Sequence, residues 1–151
     1  MYPKIRRLVL ALIAGASMLA LSGDAQAGRY YRQYYTSWSY YTTTRYYYRT
    51  YYYYPTTTAT TYSYHYAIYY PSQPRYVYYY NPTSQQYWGR FEYDEAGKAK
   101  GYSLLAEKDR KKNLADIPET AFPAPAAMPA IPGTTDGEKM AVPPADLPKR
   151  N

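Results

Sequence analysis

The chain has no cysteine, a single histidine and only two phenylalanines, and its one long apolar run ends by Ser22. Without Cys there is no disulfide, no thiol nucleophile and no thiolate metal ligand, which excludes stapled secreted domains and Cys-based zinc sites. His65 stands in YSYHYAI with no downstream carboxylate before Glu92, so a nucleophile, base and orienting group cannot be assembled around it from neighbouring sequence. Glu92, Asp94 and Glu95 cluster at an expected turn, without the ligand spacing or the glycine of a calcium loop. No glycine-rich phosphate loop is present either. The chain therefore reads as a non-enzyme, with no catalytic, cofactor-binding or metal residues and no small-molecule substrate.

Branched apolar residues are scarce as well. Beyond residue 27, Leu, Ile, Val and Phe amount to eleven side chains: Ile68, Val77, Phe91, Leu104, Leu105, Leu114, Ile117, Phe122, Ile131, Val142 and Leu147. That is well below the about 20% at which chains tend towards disorder. Ordering each residue costs ~1–2 kcal/mol of backbone entropy, and so few aliphatic groups do not offset it. Acidic residues and lysine are also missing from Gly28 to Arg90, where Arg29, Arg32, Arg45, Arg49, Arg75 and Arg90 carry all the charge. The positive field belongs to that half, while bases and acids nearly balance after it.

What the chain does have is tyrosine, 26 residues of 151. The stretch RYYYRTYYYYPTTT, Arg45 to Thr58, is the densest part. Each ring offers an apolar face and a hydroxyl, and arginine stacks on such faces at ~0.5–1 kcal/mol per exposed pair. Many weak contacts on one segment add up through local concentration. The expected partner contacts here are Tyr46, Tyr47, Tyr48, Arg49, Tyr51, Tyr52, Tyr53 and Tyr54.

The N-terminus reads as a secretory signal peptide over residues 1–27. Lys4, Arg6 and Arg7 precede the apolar run Leu8 to Ser22, and Ala25-Gln26-Ala27 supplies the small-x-small pattern for cleavage before Gly28. The run is shorter than the ~20 residues that span a bilayer, so no membrane span is expected after cleavage. The implied location is the bacterial cell envelope or the medium, by the general secretory route.

Behind the leader the expectation is a mostly disordered, low-complexity chain. Residues 28–75 form a Tyr/Thr/Arg-rich segment in which consecutive tyrosines put the same side chain on both faces of any strand, leaving register weakly specified. Only YSYHY alternates, lining Tyr62, Tyr64 and Tyr66 along one face. In residues 76–105 the turn signals NPTS (Asn81 to Ser84) and EAGK (Glu95 to Lys98) separate β-favouring runs and predict a small antiparallel three-stranded β meander, with strands near Tyr76 to Tyr80, Gln85 to Tyr93 and Ala99 to Leu104. Gly89 marks a bulge or a close backbone approach. Residues 106–116 predict a short charged helical turn. Residues 117–151 are Pro-rich and read as a disordered, extended tail.

Two resemblances bear on this. YYYNPTSQQYW is similar to the second half of a WW domain, one residue short between Asn81 and Trp88 and without that domain's first Trp and closing Pro. It implies a module that binds a Pro-rich extended peptide, the chain's own tail included, through Tyr78, Tyr80, Tyr87 and Trp88. The succession YYYNP, YWGR, YSLL, IPETAFP and MPAIPG, spanning about Tyr76 to Pro144, resembles uncharacterised small exported proteins of planctomycete-type bacteria. It implies export and carries no known activity, fold or catalytic residue. The expected function is that of an exported structural or adhesive protein, held by multivalent Tyr and Arg contacts to itself or to cell-envelope components. Single-stranded nucleic acid is a further ligand class, since arginine among aromatics suits phosphates and bases, but export disfavours it.

Overall fold

The computed structural model describes residues 31–149. The expected leader, with Ala25, Ala27 and Gly28 at its cleavage site, lies outside the described residues. Seven strands make one curled antiparallel sheet: β1 (Gln33–Tyr35), β2 (Ser39–Tyr41), β3 (Tyr46–Tyr53), β4 (Ser63–Tyr69), β5 (Tyr76–Asn81), β6 (Gln86–Tyr93) and β7 (Ala99–Leu104). From β3 onward each strand pairs with the next, while β1 and β2 share the free edge of β3. The two short strands are one edge broken at Thr36 to Trp38. Thr36 bridges the break, its N–H donating to the Thr50 carbonyl at 2.9 Å and its hydroxyl accepting the Thr50 N–H at 2.8 Å.

The expectation of a mostly disordered chain is thus overturned, and so is that of unstructured sequence over residues 28–75, where β1 to β4 form. The physical reason is that tyrosine serves as the core residue. Tyr51, Tyr53, Tyr69, Tyr78, Tyr79, Tyr93 and Tyr102 are each no more than 4% exposed. Fully burying such a ring removes 150–250 Å² from water, as much as a large aliphatic side chain, provided the hydroxyl is accommodated. Counting only Leu, Ile, Val and Phe therefore understates the core.

Consecutive tyrosines also suit this sheet because both of its faces are covered. On one, here the tail face, Tyr51, Ala67, Tyr69, Tyr79 and Phe91 pack with Met128, Ile131 and Met140. On the other, the groove face, Ile68, Tyr78 and Tyr87 pack with Leu105, Ile117 and Phe122. Register comes from the few residues that are not tyrosine: Arg49 of β3 stands opposite Ala67 of β4, and Tyr48 opposite Ile68. A slip by one residue would move Arg49 to the groove face, away from the Asp146 carboxylate that it grips at 2.8 and 2.9 Å.

The tail, expected to be disordered over residues 117–151, is instead wrapped around the sheet. An extended Pro-rich chain makes no internal hydrogen bonds, so it needs donors from outside. The sheet supplies them. Tyr35 donates to the Ala141 carbonyl at 2.8 Å, Trp38 Nε1 to Asp146 at 2.9 Å, Gln33 Nε2 to Lys139 at 2.9 Å and Ser103 to Pro123 at 2.6 Å. Tyr102 of β7 and Ala126 exchange both backbone bonds at 2.8 and 3.0 Å, so the tail closes that sheet edge. The charged stretch before it forms 3-10 turns at Glu107–Asp109 and Leu114–Asp116, with a third at Glu119–Ala121.

Asn81 Oδ1 accepts the Thr83 and Ser84 N–H groups at the NPTS turn, and Asp94 Oδ1 accepts that of Lys98 at EAGK. In β6, Trp88 is the extra residue of a bulge, since Tyr79 pairs with Gly89 and Tyr80 with Tyr87. Gly89 is required beside it. A Cβ there would lie 2.4 Å from the Ser103 carbonyl and 2.6 Å from the Tyr102 ring.

Candidate functional site

Strand alternation sends Tyr34, Tyr41, Tyr46, Tyr48, Tyr52, Tyr64 and Tyr66 to the groove face. Leu105, Ile117 and Phe122 cover that face at Ile68, Tyr78 and Tyr87, and all seven of these outer rings keep some exposure. They touch one another in sequence. Ring centroids lie 5.0 Å apart for Tyr34 and Tyr52, 5.7 Å for Tyr52 and Tyr64, 5.7 Å for Tyr64 and Tyr66, 6.1 Å for Tyr66 and Tyr48, and 5.6 Å for Tyr46 and Tyr70.

Where this array meets the covering segment it forms a groove of about 590 Å³. The groove is lined by Tyr41, Tyr46, Tyr48, Tyr66, Ile68, Tyr70, Tyr80, Tyr87, Lys112 and Asn113. A second hollow of about 340 Å³ shares Tyr70 and continues along Leu114 to Phe122. Among the groove residues Lys112 alone carries charge. Burial pushes the Tyr70 and Tyr66 phenols above the ordinary value, and pushes Tyr87 far above it with help from its hydrogen bond to Tyr70. Tyr70 and Tyr87 hydroxyls lie 3.1 Å apart. The groove thus presents apolar ring faces, hydroxyls that donate and accept, an amide and one cation.

The residues expected to contact partners separate by parity. Tyr46, Tyr48 and Tyr52 lie half-buried on the groove face, and Tyr54 lies half-buried just beyond β3. Tyr47 is half-buried on the tail face, between Tyr40 and Tyr69. Arg49, Tyr51 and Tyr53 are buried and are not outward contacts. Arg49 sits 4.1 Å over the Trp38 ring and ties down the tail through Asp146, a structural role in place of the adhesive one. Arg90 does likewise, 3.8 Å over Tyr76 and 4.0 Å over Phe122, and pairs with Glu119 at 2.9 Å.

Three of the four residues of the WW-like reading meet on the groove face, with the Tyr87 ring centroid 6.3 Å from that of Tyr78 and 5.1 Å from that of Tyr80, while Trp88 lies on the other face. Tyr78 and Tyr87 are buried beneath the covering segment, where Tyr78 meets Phe122 of IPETAFP at 6.1 Å, and Tyr80 lines the groove. Trp88, displaced by the bulge, packs with the tail-face core 3.7 Å from the Arg110 guanidinium. The later part of the tail, with Met128, Ile131 and Met140, crosses that same opposite face.

His65 is fully buried between Tyr53 and Trp88, and neither ring nitrogen has a hydrogen-bond partner. Burial, then the nearby Arg110 charge, lowers its pKa from 6.5 to about 3, so it is a neutral packing group. Glu92 is held by Arg75 and Lys100, both at 3.2 Å, and Asp94 caps its turn. Among the described residues no group of three His, Cys, Asp or Glu side chains is placed to hold a metal.

Sequence reasoning missed Tyr41, Tyr66, Ile68, Tyr70, Lys112 and Asn113 as groove residues. The alternation in YSYHY was the available signal for this face, but the covering segment that turns a tyrosine array into a groove comes from residues 105–122, remote in sequence. Fold and site together define the class: an all-β protein, a curled meander bound on both faces by its own C-terminal segment, with tyrosines presented at one end of one face. No known protein family, curated protein or solved structure matches the chain.

Proposed function

We propose that the protein is an exported, non-enzymatic adhesive protein that grips glycan chains of the cell envelope with its groove-face tyrosines. The observation that carries the reading is the continuous array from Tyr34 to Tyr70, half-buried or exposed and opening into a groove with no carboxylate among its lining residues. Sugar rings present C–H faces that stack on aromatic rings and hydroxyls that pair with phenols, and a volume of this size suits a small-ligand or oligosaccharide site. Rings fixed by their neighbours lose little freedom on binding, which favours affinity from modest contacts.

The test is retention of the protein on insoluble cell-wall polysaccharide. Replacing Tyr46 to Tyr54 wholesale would destroy the core, so the informative variant is Tyr48→Ala with Tyr66→Ala, against Tyr40→Ala on the tail side. At about 0.5–1.5 kcal/mol per ring, the double variant is expected to lose roughly tenfold in affinity and the control to lose nothing. Unchanged retention by a double variant that melts like the wild type would remove the groove face as the adhesive.

A further inference from the structure

The β3–β4 pairing ends at Tyr53 and Ser63, and one residue further out Tyr54 and Tyr62 face each other across the base of the loop Pro55 to Thr61. Their rings are stacked with centroids 3.8 Å apart and an interplanar angle of 19°. The other stacked tyrosine pairs are wider: 5.0 Å for Tyr34 and Tyr52, 5.5 Å for Tyr41 and Tyr46, and 5.2 Å for the buried Tyr51 and Tyr53. Burial, then a hydrogen bond to the Tyr54 side chain, raises the Tyr62 phenol. Rings this close and this nearly parallel put the carbons of the two phenols in van der Waals contact, within reach of coupling.

We propose that Tyr54 and Tyr62 form an intramolecular dityrosine cross-link, made by a haem peroxidase and hydrogen peroxide, that staples the β3–β4 loop of this cysteine-free chain. Each ring gives up one electron and its phenolic proton to the oxidant. The two phenoxyl radicals then join, ortho carbon to ortho carbon, and the hydrogen on each joined carbon moves to the phenol oxygen. The balance is two ring C–H bonds lost, one C–C bond gained, and one peroxide reduced to two waters. Buried pairs such as Tyr51 and Tyr53 lack both access and room to turn, whereas Tyr54 and Tyr62 flank a loop whose threonines are largely exposed. Closing a loop covalently removes freedom from the unfolded chain, the service a disulfide gives elsewhere. The inference stands independently of the glycan reading.

The experiment treats the purified full chain with a haem peroxidase and limiting peroxide, then isolates the monomer. Expected are dityrosine fluorescence, the loss of two hydrogens in mass, and a tryptic peptide Thr50 to Arg75 that yields no fragment ions from backbone bonds between 54 and 62 but fragments normally outside them. Tyr62→Phe, which keeps the ring, should abolish the monomer product. Coupling found chiefly between chains, or mapped to another ring pair, or persisting in Tyr62→Phe, would overturn the proposal.

Discussion

At the residue scale the molecule depends on polar aromatics doing the work of aliphatics. Tyr35 commits its proton to the Ala141 carbonyl and so accepts from Tyr79 at 2.7 Å, which satisfies two buried hydroxyls with one tail carbonyl. His65 carries a cost of the same arrangement. Its folded pKa is about 3 against 6.5 unfolded, so between those values the unfolded chain binds a proton that the folded chain refuses. Stability is full above 6.5 and falls as pH drops through this window, by about 1.4 kcal/mol per pH unit from this group. His65→Phe is expected to flatten the acid limb of denaturant stability by that amount, measured as midpoint against pH. An unchanged slope would show that His65 is not buried. Which tyrosines are buried was not legible in the sequence, because one residue type recurs on both faces. Arg49 and Ala67 reveal the register only once they are seen opposite each other.

At the scale of elements, β5, β6 and β7 were legible because Asn81, Asp94 and Gly97 punctuate them with side-chain or positive-φ turn chemistry. β3 and β4 were not, since PTTTATT between them reads as a spacer, and β1 and β2 are only three residues each. The tail was misread because its prolines mask a local pairing of Ala130 with Lys139, in which Ile131 donates to Glu138 and Met140 to Pro129, each at 2.8 Å. The rest of its order comes from donors that include Gln33, Tyr35 and Trp38, more than a hundred residues away in sequence. Gly101 is where the tail pairs with the edge of β7. Its φ is +138°, and a Cβ there would lie 2.4 Å from the Ala126 carbonyl. Gly101→Ala should therefore cost about 1–3 kcal/mol and selectively raise amide exchange at Tyr102 and Ala126. Protection at those two amides equal to wild type would argue against the tail as an integral sheet edge.

For the whole molecule, the aliphatic scarcity that suggested disorder is real but does not set the fold. The covered faces together bury seven tyrosines almost completely, and the same residue type, left uncovered near β1 to β4, supplies the candidate binding face and the proposed cross-link. The candidate site was legible in kind, as tyrosine chemistry, and not in place. Where those rings gather depends on how far residues 105–122 extend over the groove face.

A pH titration that follows tyrosinate absorbance and the strand signal together tests the tyrosine core most directly. Burial raises Tyr53, Tyr78 and Tyr93 from 10 to about 12, and Tyr35, Tyr79 and Tyr102 well above 10. Since folding holds these phenols protonated, stability is full below 10 and declines as pH rises beyond it, each group contributing to the slope. The expected result is a cooperative collapse of the sheet above pH 10 in which these phenols ionise together. A single graded titration of all 26 tyrosines centred at 10, with no accompanying structural transition, would contradict it.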